Sequence, residues 1–162
     1  MRILAAALAL LATPALAEGW QVQYLAGSGG SRPMVVDKSE AESAEAFVEN
    51  ERGERLILSC RGGSEGPGFF LSLYTPAPIP VPSDYADDGV ELSASFGADP
   101  AQNDLGLFQA AQERYFAPLS IETFDRMMAA PTIRLYATVA DYAAEFPLQG
   151  FTAAAAEVTC GG

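Results

Sequence analysis

Short stretches of alternating apolar and polar residues, broken by turn residues, run along most of this chain. Trp20, Val22 and Tyr24 alternate with Gln21, Gln23 and Leu25, which predicts a strand that Gly27-Ser28-Gly29-Gly30-Ser31 ends. Pro33 to Asp37 reads as a second extended piece, with proline tolerated at its edge. Residues 39–50 carry two patterns. Ala41, Ala44 and Val48 fit a helix behind a Ser39-x-x-Glu42 capping box, whereas Ala44, Ala46 and Val48 share one face of a strand. The strand is favoured because Asn50-Glu51-Arg52-Gly53 resembles a hairpin turn into the apolar run Arg55 to Cys60.

Gly62 to Gly68 predicts a loop and Phe69 to Tyr74 an aromatic-rich strand. Thr75 to Pro82 places proline at every second position, which favours an extended polyproline-like connection. From Gly89 to Phe96, Val90, Leu92, Ala94 and Phe96 alternate with Glu91, Ser93 and Ser95, the pattern of a half-buried strand. Leu105 to Phe116 is apolar without one period and reads as a strand or hairpin. Ser120 can cap a helix on which Ile121, Phe124 and Met128 share a face, and Pro131 closes it. Thr132 to Val139 and Asp141 to Leu148 predict a strand pair. Gln149-Gly150 then turns the chain into a helix from Phe151 to Val158, with Phe151, Ala154, Ala155 and Val158 on one face and Cys160, Gly161 and Gly162 beyond it. Many short strands with one or two short helices in the C-terminal third predict a mainly β domain, an antiparallel β-sandwich or barrel-like fold.

The first residues break this pattern. Met1-Arg2 is followed by the apolar run Ile3 to Leu11, Pro14 and Ala15-Leu16-Ala17, the layout of a cleavable signal peptide over residues 1–17. The apolar run is shorter than the roughly 20 residues that a spanning helix needs. Residues 18–162 are then expected to form one β-rich domain, in the periplasm or secreted, with no integral membrane segment after cleavage.

The whole chain carries a charge of −12, and loss of Arg2 with the leader makes it −13. Such a field repels phosphate backbones, so nucleic acid is not an expected partner. It attracts cationic partners, or serves only to keep an exported domain soluble. Cys60 and Cys160 are the two cysteines. In an oxidising compartment they are expected to form a structural disulfide, because their spacing is not the C-x-x-C of a redox site.

The string Phe146-Pro147-Leu148-Gln149-Gly150-Phe151-Thr152-Ala153-Ala154 resembles the F-x-L-x-G-F-x-x-A ending of small exported bacterial proteins of the invasion-associated locus B and type VI secretion VasI-like kinds. The Leu56-x-Leu58-x-Cys60 strand, the closing Cys160 and Trp20 are also similar. The resemblance covers about a third of the chain. It implies a β-rich periplasmic accessory protein with a disulfide and no established enzymatic site.

The chain has no histidine, which removes Ser-His-Asp and Cys-His catalysis and imidazole metal sites. Asp84, Asp87, Asp88 and Glu91 form the densest carboxylate cluster, and their oxygens suit calcium. Their spacing is not that of an EF-hand, and Asp88-Gly89 is also a common turn pair. Two carboxylates across a cleft could serve a hydrolase as acid and base. Gly27 to Gly30 lacks the Lys-Ser/Thr ending of a phosphate-binding loop. Phe69, Phe70 and Tyr74 fit either a core or a binding surface, and Arg52, Arg55 and Arg61 either bind an anion or offset Glu51 and Glu54. No residue is singled out as catalytic, and no cofactor is expected. The leading expectation is a non-enzymatic accessory or binding protein. The alternatives are a carboxylate-dependent hydrolase and an inhibitor-like binder of a cationic protein.

Overall fold

The computed structural model describes residues 19–27, 33–62, 68–80, 89–100, 103–111, 114–137 and 140–159. Among them the strands are β1 (Gln21–Ala26), β2 (Met34–Val36), β3 (Ser43–Glu49), β4 (Arg55–Arg61), β5 (Gly68–Tyr74), β6 (Val90–Phe96), β7 (Asn103–Ala111), β8 (Arg114–Pro118), β9 (Thr132–Ala137) and β10 (Ala143–Pro147). Two helices follow β8 and β10: α1 (Ile121–Ala129) and α2 (Phe151–Ala155). Every strand pairing is antiparallel, in the order β10-β9-β6-β7-β8-β5-β4-β3-β1-β2.

The ladder bends at β7, whose first part pairs with β6 while Gln109 to Ala111 pair with β8. Two sheets result, folded onto one core, and they do not close into a barrel. The mainly antiparallel β fold with two short helices agrees with the alternation in the sequence, and the sandwich form of that expectation is the one adopted. Leu56, Leu58, Leu71 and Leu73 from one sheet meet Leu92, Ile133, Leu135 and Phe146 from the other.

The ambiguous stretch at residues 39–50 is a strand, β3, with Ala44, Ala46 and Val48 buried. The Ser39-x-x-Glu42 box starts no α-helix. Instead Lys38–Glu40 make one 3-10 turn, and Glu42 accepts a hydrogen bond from the Gly27 amide at 3.2 Å. The Asn50 turn forms as expected. Asn50 Oδ1 accepts from the amides of Arg52 and Glu54 at 3.0 and 3.1 Å, and Gly53 supplies the positive φ of 74°. Leu105 to Phe116 is a hairpin of β7 and β8. On β6 the serines are buried along with the apolar residues, because β7 and β9 flank the strand on both sides.

Ser120 caps α1, accepting from the Thr123 amide at 3.2 Å. The inward face of α1 corrects the sequence reading: Thr123 and Met127 are buried, whereas Ile121 is 76% and Met128 41% exposed. The apolar spacing establishes that α1 has a face, but the core side is chosen by Phe124. Its ring stacks on Phe69 at 5.3 Å and meets Phe151 edge-on at 5.5 Å, which turns Ile121 outward. Helix α2 is shorter than its predicted span, yet Phe151, Ala154, Ala155 and Val158 are all buried as their spacing requires.

The two ends of the ladder are held together by Trp20. Its Nε1–H donates to the Pro147 carbonyl at 3.0 Å, its amide donates to the Gln149 carbonyl at 3.2 Å, and its ring packs edge-on to Phe151 at 4.8 Å. Gly19 makes this approach possible. It has φ of 134°, and a Cβ there would lie 3.0 Å from the Gln149 oxygen.

Candidate functional site

Side-chain alternation gives the β3-β4-β5-β8 region an inner and an outer face. The inner face carries the leucines of the core. The outer face carries Phe47 and Glu45 from β3, Arg55, Ile57, Ser59 and Arg61 from β4, Phe70, Ser72 and Tyr74 from β5, and Arg114 and Phe116 from β8. Register sets these side by side: Phe47 opposes Ile57, Ile57 opposes Ser72, and Ser72 opposes Phe116, while Arg55 and Arg114 flank Tyr74. Phe47, Phe70, Tyr74 and Phe116 are each half-buried.

Arginines lie on these rings. The Arg61 guanidinium sits 5.6 Å from the centre of Phe70 and 5.4 Å from that of Phe116, and Gly68, directly opposite Arg61, has no side chain to obstruct it. Arg55 lies 5.4 Å from the Phe47 ring and pairs with Glu49 at 2.6 Å. Arg114 reaches across β5 and β4 to within 3.5 Å of Glu45. Arg61, an exposed cation, makes no ion pair among the described residues. A protein of strong overall negative charge thus gathers three arginines on one aromatic sheet face.

The sequence reading of these residues is partly corrected. Phe69 points inward to Phe124, whereas Phe70 and Tyr74 point outward, so the aromatic run divides between core and surface. Arg52 does offset Glu54, at 2.7 Å, but Arg55 pairs with Glu49. Phe47, Arg114 and Phe116 escaped sequence reasoning because only strand pairing brings them to Arg61.

A second concavity, of about 250 Å³, opens where β7 bulges. Leu92 opposes Gly106 and Ser93 opposes Asp104, leaving Leu105 as the extra residue. Leu71 and Phe108 line its wall, and Asp104, Ser120 and Thr123 are its polar groups. Asp104 accepts from the Gly106 amide at 2.7 Å, and the two hydroxyls bond to each other at 2.9 Å in the α1 cap. Among the described residues Asp104 is the one carboxylate that lines this pocket.

Glu54 forms a third polar cluster. Its buried carboxylate accepts from Asn50 Nδ2 at 2.7 Å, Arg52 Nε at 3.0 Å and the Tyr142 hydroxyl at 3.2 Å, and Arg52 also donates to the Ala143 carbonyl. These bonds join the β3–β4 turn to the start of β10, a structural clasp. Glu54→Ala strands three donors and is expected to cost about 3 kcal/mol, read from urea unfolding. Burial, and after it the Glu54 charge, pushes the Tyr142 hydroxyl well above its usual range. The unfolded chain therefore loses this proton at lower pH than the folded one. The stabilisation is complete below about pH 10 and falls above it by at most about 1.4 kcal/mol per pH unit. Tyr142→Phe lacks this loss, so its stability deficit relative to wild type should narrow between pH 9.5 and 11. A constant deficit would contradict the assignment.

Of the calcium candidates, Asp84, Asp87 and Asp88 lie outside the described residues, and Glu91 stands exposed on β6 opposite Leu107. No group of three or more metal-ligating side chains occurs among the described residues. The proposed leader and Cys160 also lie outside them. No helix among the described residues is long and apolar enough to cross a membrane. Of the fixed positions of the C-terminal motif, Phe146, Leu148, Phe151 and Ala154 are buried and Gly150 is exposed in the turn before α2, so that motif is turn and core. Comparison with protein families, with curated proteins and with solved structures finds no match.

Proposed function

We propose that this chain is an exported, non-enzymatic binding or accessory protein of the periplasm or extracellular medium, and that it binds through the arginine–aromatic face of β3, β4, β5 and β8. The observation that carries this reading is Arg61, an exposed cation held on two half-buried rings. Arginine and aromatic side chains together are the composition of binding hot spots. The leader supports export, and the absence of histidine removes the commonest general base.

The Cys60–Cys160 disulfide belongs to the same proposal. Cys60 is buried, and no free cysteine occurs among the described residues. Thr159, one residue before Cys160, bridges to Ala44. Ala44 lies two residues from Ala46, where the β3–β4 ladder ends opposite Leu58, and Cys60 lies two residues beyond Leu58.

Affinity capture from periplasm and culture medium, with wild type and Arg61→Ala as baits, tests the binding reading. Arg61→Ala is expected to stay folded, losing about 0.5–1 kcal/mol. Molecules retained by wild type should be lost by the variant. Capture indifferent to Arg61, or turnover of a substrate, would overturn the proposal. The cationic partner suggested by net charge is a competing outcome, recognised by capture that ignores Arg61 and weakens with salt.

A further inference from the structure

Three side chains on the arginine–aromatic face have buried polar atoms without a hydrogen-bond partner among the described residues: Ser59 Oγ, Ser72 Oγ, and Nε and Nη2 of Arg114. Ser59 is 2% and Ser72 0% exposed. Folded proteins pair nearly all such groups, so several orphaned donors on one face point to an acceptor that belongs there. They are near neighbours: Ser59 opposes Phe70, Ser72 opposes Phe116, and Arg114 opposes Tyr74 two residues along β5.

The two orphaned nitrogens of Arg114 identify that acceptor. Nε and Nη2 form the side-on edge of the guanidinium, whose two parallel N–H groups match the two oxygens of one carboxylate. Glu45 does not fill this fork. Its Oε1 stands 3.5 Å from Nη2, and its Oε2 is taken by Gln23 Nε2 at 3.2 Å. The serine hydroxyls supply further donors beside the fork, and Arg61 lies at the rim on the Phe70 and Phe116 rings.

We infer that this cluster is a carboxylate-binding site, in which the Arg114 fork holds the carboxylate, Ser59 and Ser72 donate to it, and Arg61 closes over it. The inference rests on the binding face proposed above and names its ligand chemistry. The side chain of Arg114 is 34% exposed, and Arg61, a surface side chain, reorients on the picosecond to nanosecond scale to give access. A net charge of −12 repels anions at long range, so binding is local and persists at 0.15 M salt, where the Debye length is about 8 Å.

The carboxylate can come from a small free acid or from an acidic side chain of a polypeptide. Nitrogen-15 NMR of the arginine Nε–H groups distinguishes them, with acetate and tetraglutamate as probes and sodium chloride as the ionic-strength control. The Arg114 resonance should move saturably with acetate and not with chloride. Arg114→Lys, which keeps the charge but not the fork, should weaken binding about tenfold or more, read in that variant and in wild type from the Arg61 Nε–H resonance at the rim. Ser72→Ala should weaken it too while raising the melting temperature of the free protein, because it removes an orphaned buried hydroxyl. Tetraglutamate binding about tenfold tighter than acetate would identify a polypeptide carboxylate, and equal affinity a small acid. A shift equal in chloride, or unchanged by both Arg114→Lys and Ser72→Ala, would overturn the carboxylate site. Partner capture that still depended on Arg61 would then leave the binding face standing, whereas saturable acetate binding without such capture would remove the face and keep the site.

Discussion

Reduction of the proposed Cys60–Cys160 bridge is expected to lower stability by about 4 to 5 kcal/mol, the loop-closure value for a loop of about 100 residues. Strain in the folded state would reduce that figure. The mechanism acts on both states of the chain. In the unfolded state the bridge joins the middle of the chain to its end and removes conformations. In the folded state it would act next to the bridge between Thr159 and Ala44. Urea unfolding of oxidised and reduced protein measures the difference, and thiol titration of the denatured, unreduced protein should find no free thiol. Coincident unfolding curves, or two free thiols, would remove the bridge from the account.

Trp20→Ala is expected to cost about 3 to 5 kcal/mol, the range for deleting a buried aromatic side chain. The indole does two separable things. It fills space against Phe151, and its N–H satisfies the Pro147 carbonyl where β10 ends. Trp20→Phe keeps part of the packing and loses only the side-chain hydrogen bond, about 1 kcal/mol plus a partial cavity. Its stability should therefore lie between wild type and Trp20→Ala. A Trp20→Ala cost below about 1 kcal/mol would mean that the ends of the ladder are held by other contacts, first among them the Glu54 clasp.

The local devices of this fold were legible in the sequence. The Asn50 turn, the Ser120 cap, the strand Arg55 to Cys60 and the buried face of α2 each depend on residues within a few positions of one another, and each formed where its chemistry required. The inward face of α1 was not legible, since Phe69 and Phe151 decide it from distant parts of the chain. The arginine–aromatic face was hidden for the same reason. Arg61 reaches Phe116 only because β5 pairs with β8, leaving β6 and β7 to build the other half of the ladder. The acidic total likewise does not show that three arginines share one face. The orphaned nitrogens of Arg114 are a property of packing, which no residue spacing encodes.

The central claim is that the outer face of β3, β4, β5 and β8 binds the ligand. Its most direct test is chemical-shift mapping of the labelled protein with whatever wild-type bait retains. Perturbations are expected at Phe47, Arg61, Phe70 and Phe116, while Leu105, Ser120 and Thr123 at the β7 bulge stay unmoved. Perturbations centred on the bulge pocket, with the arginine–aromatic face unchanged, would contradict it.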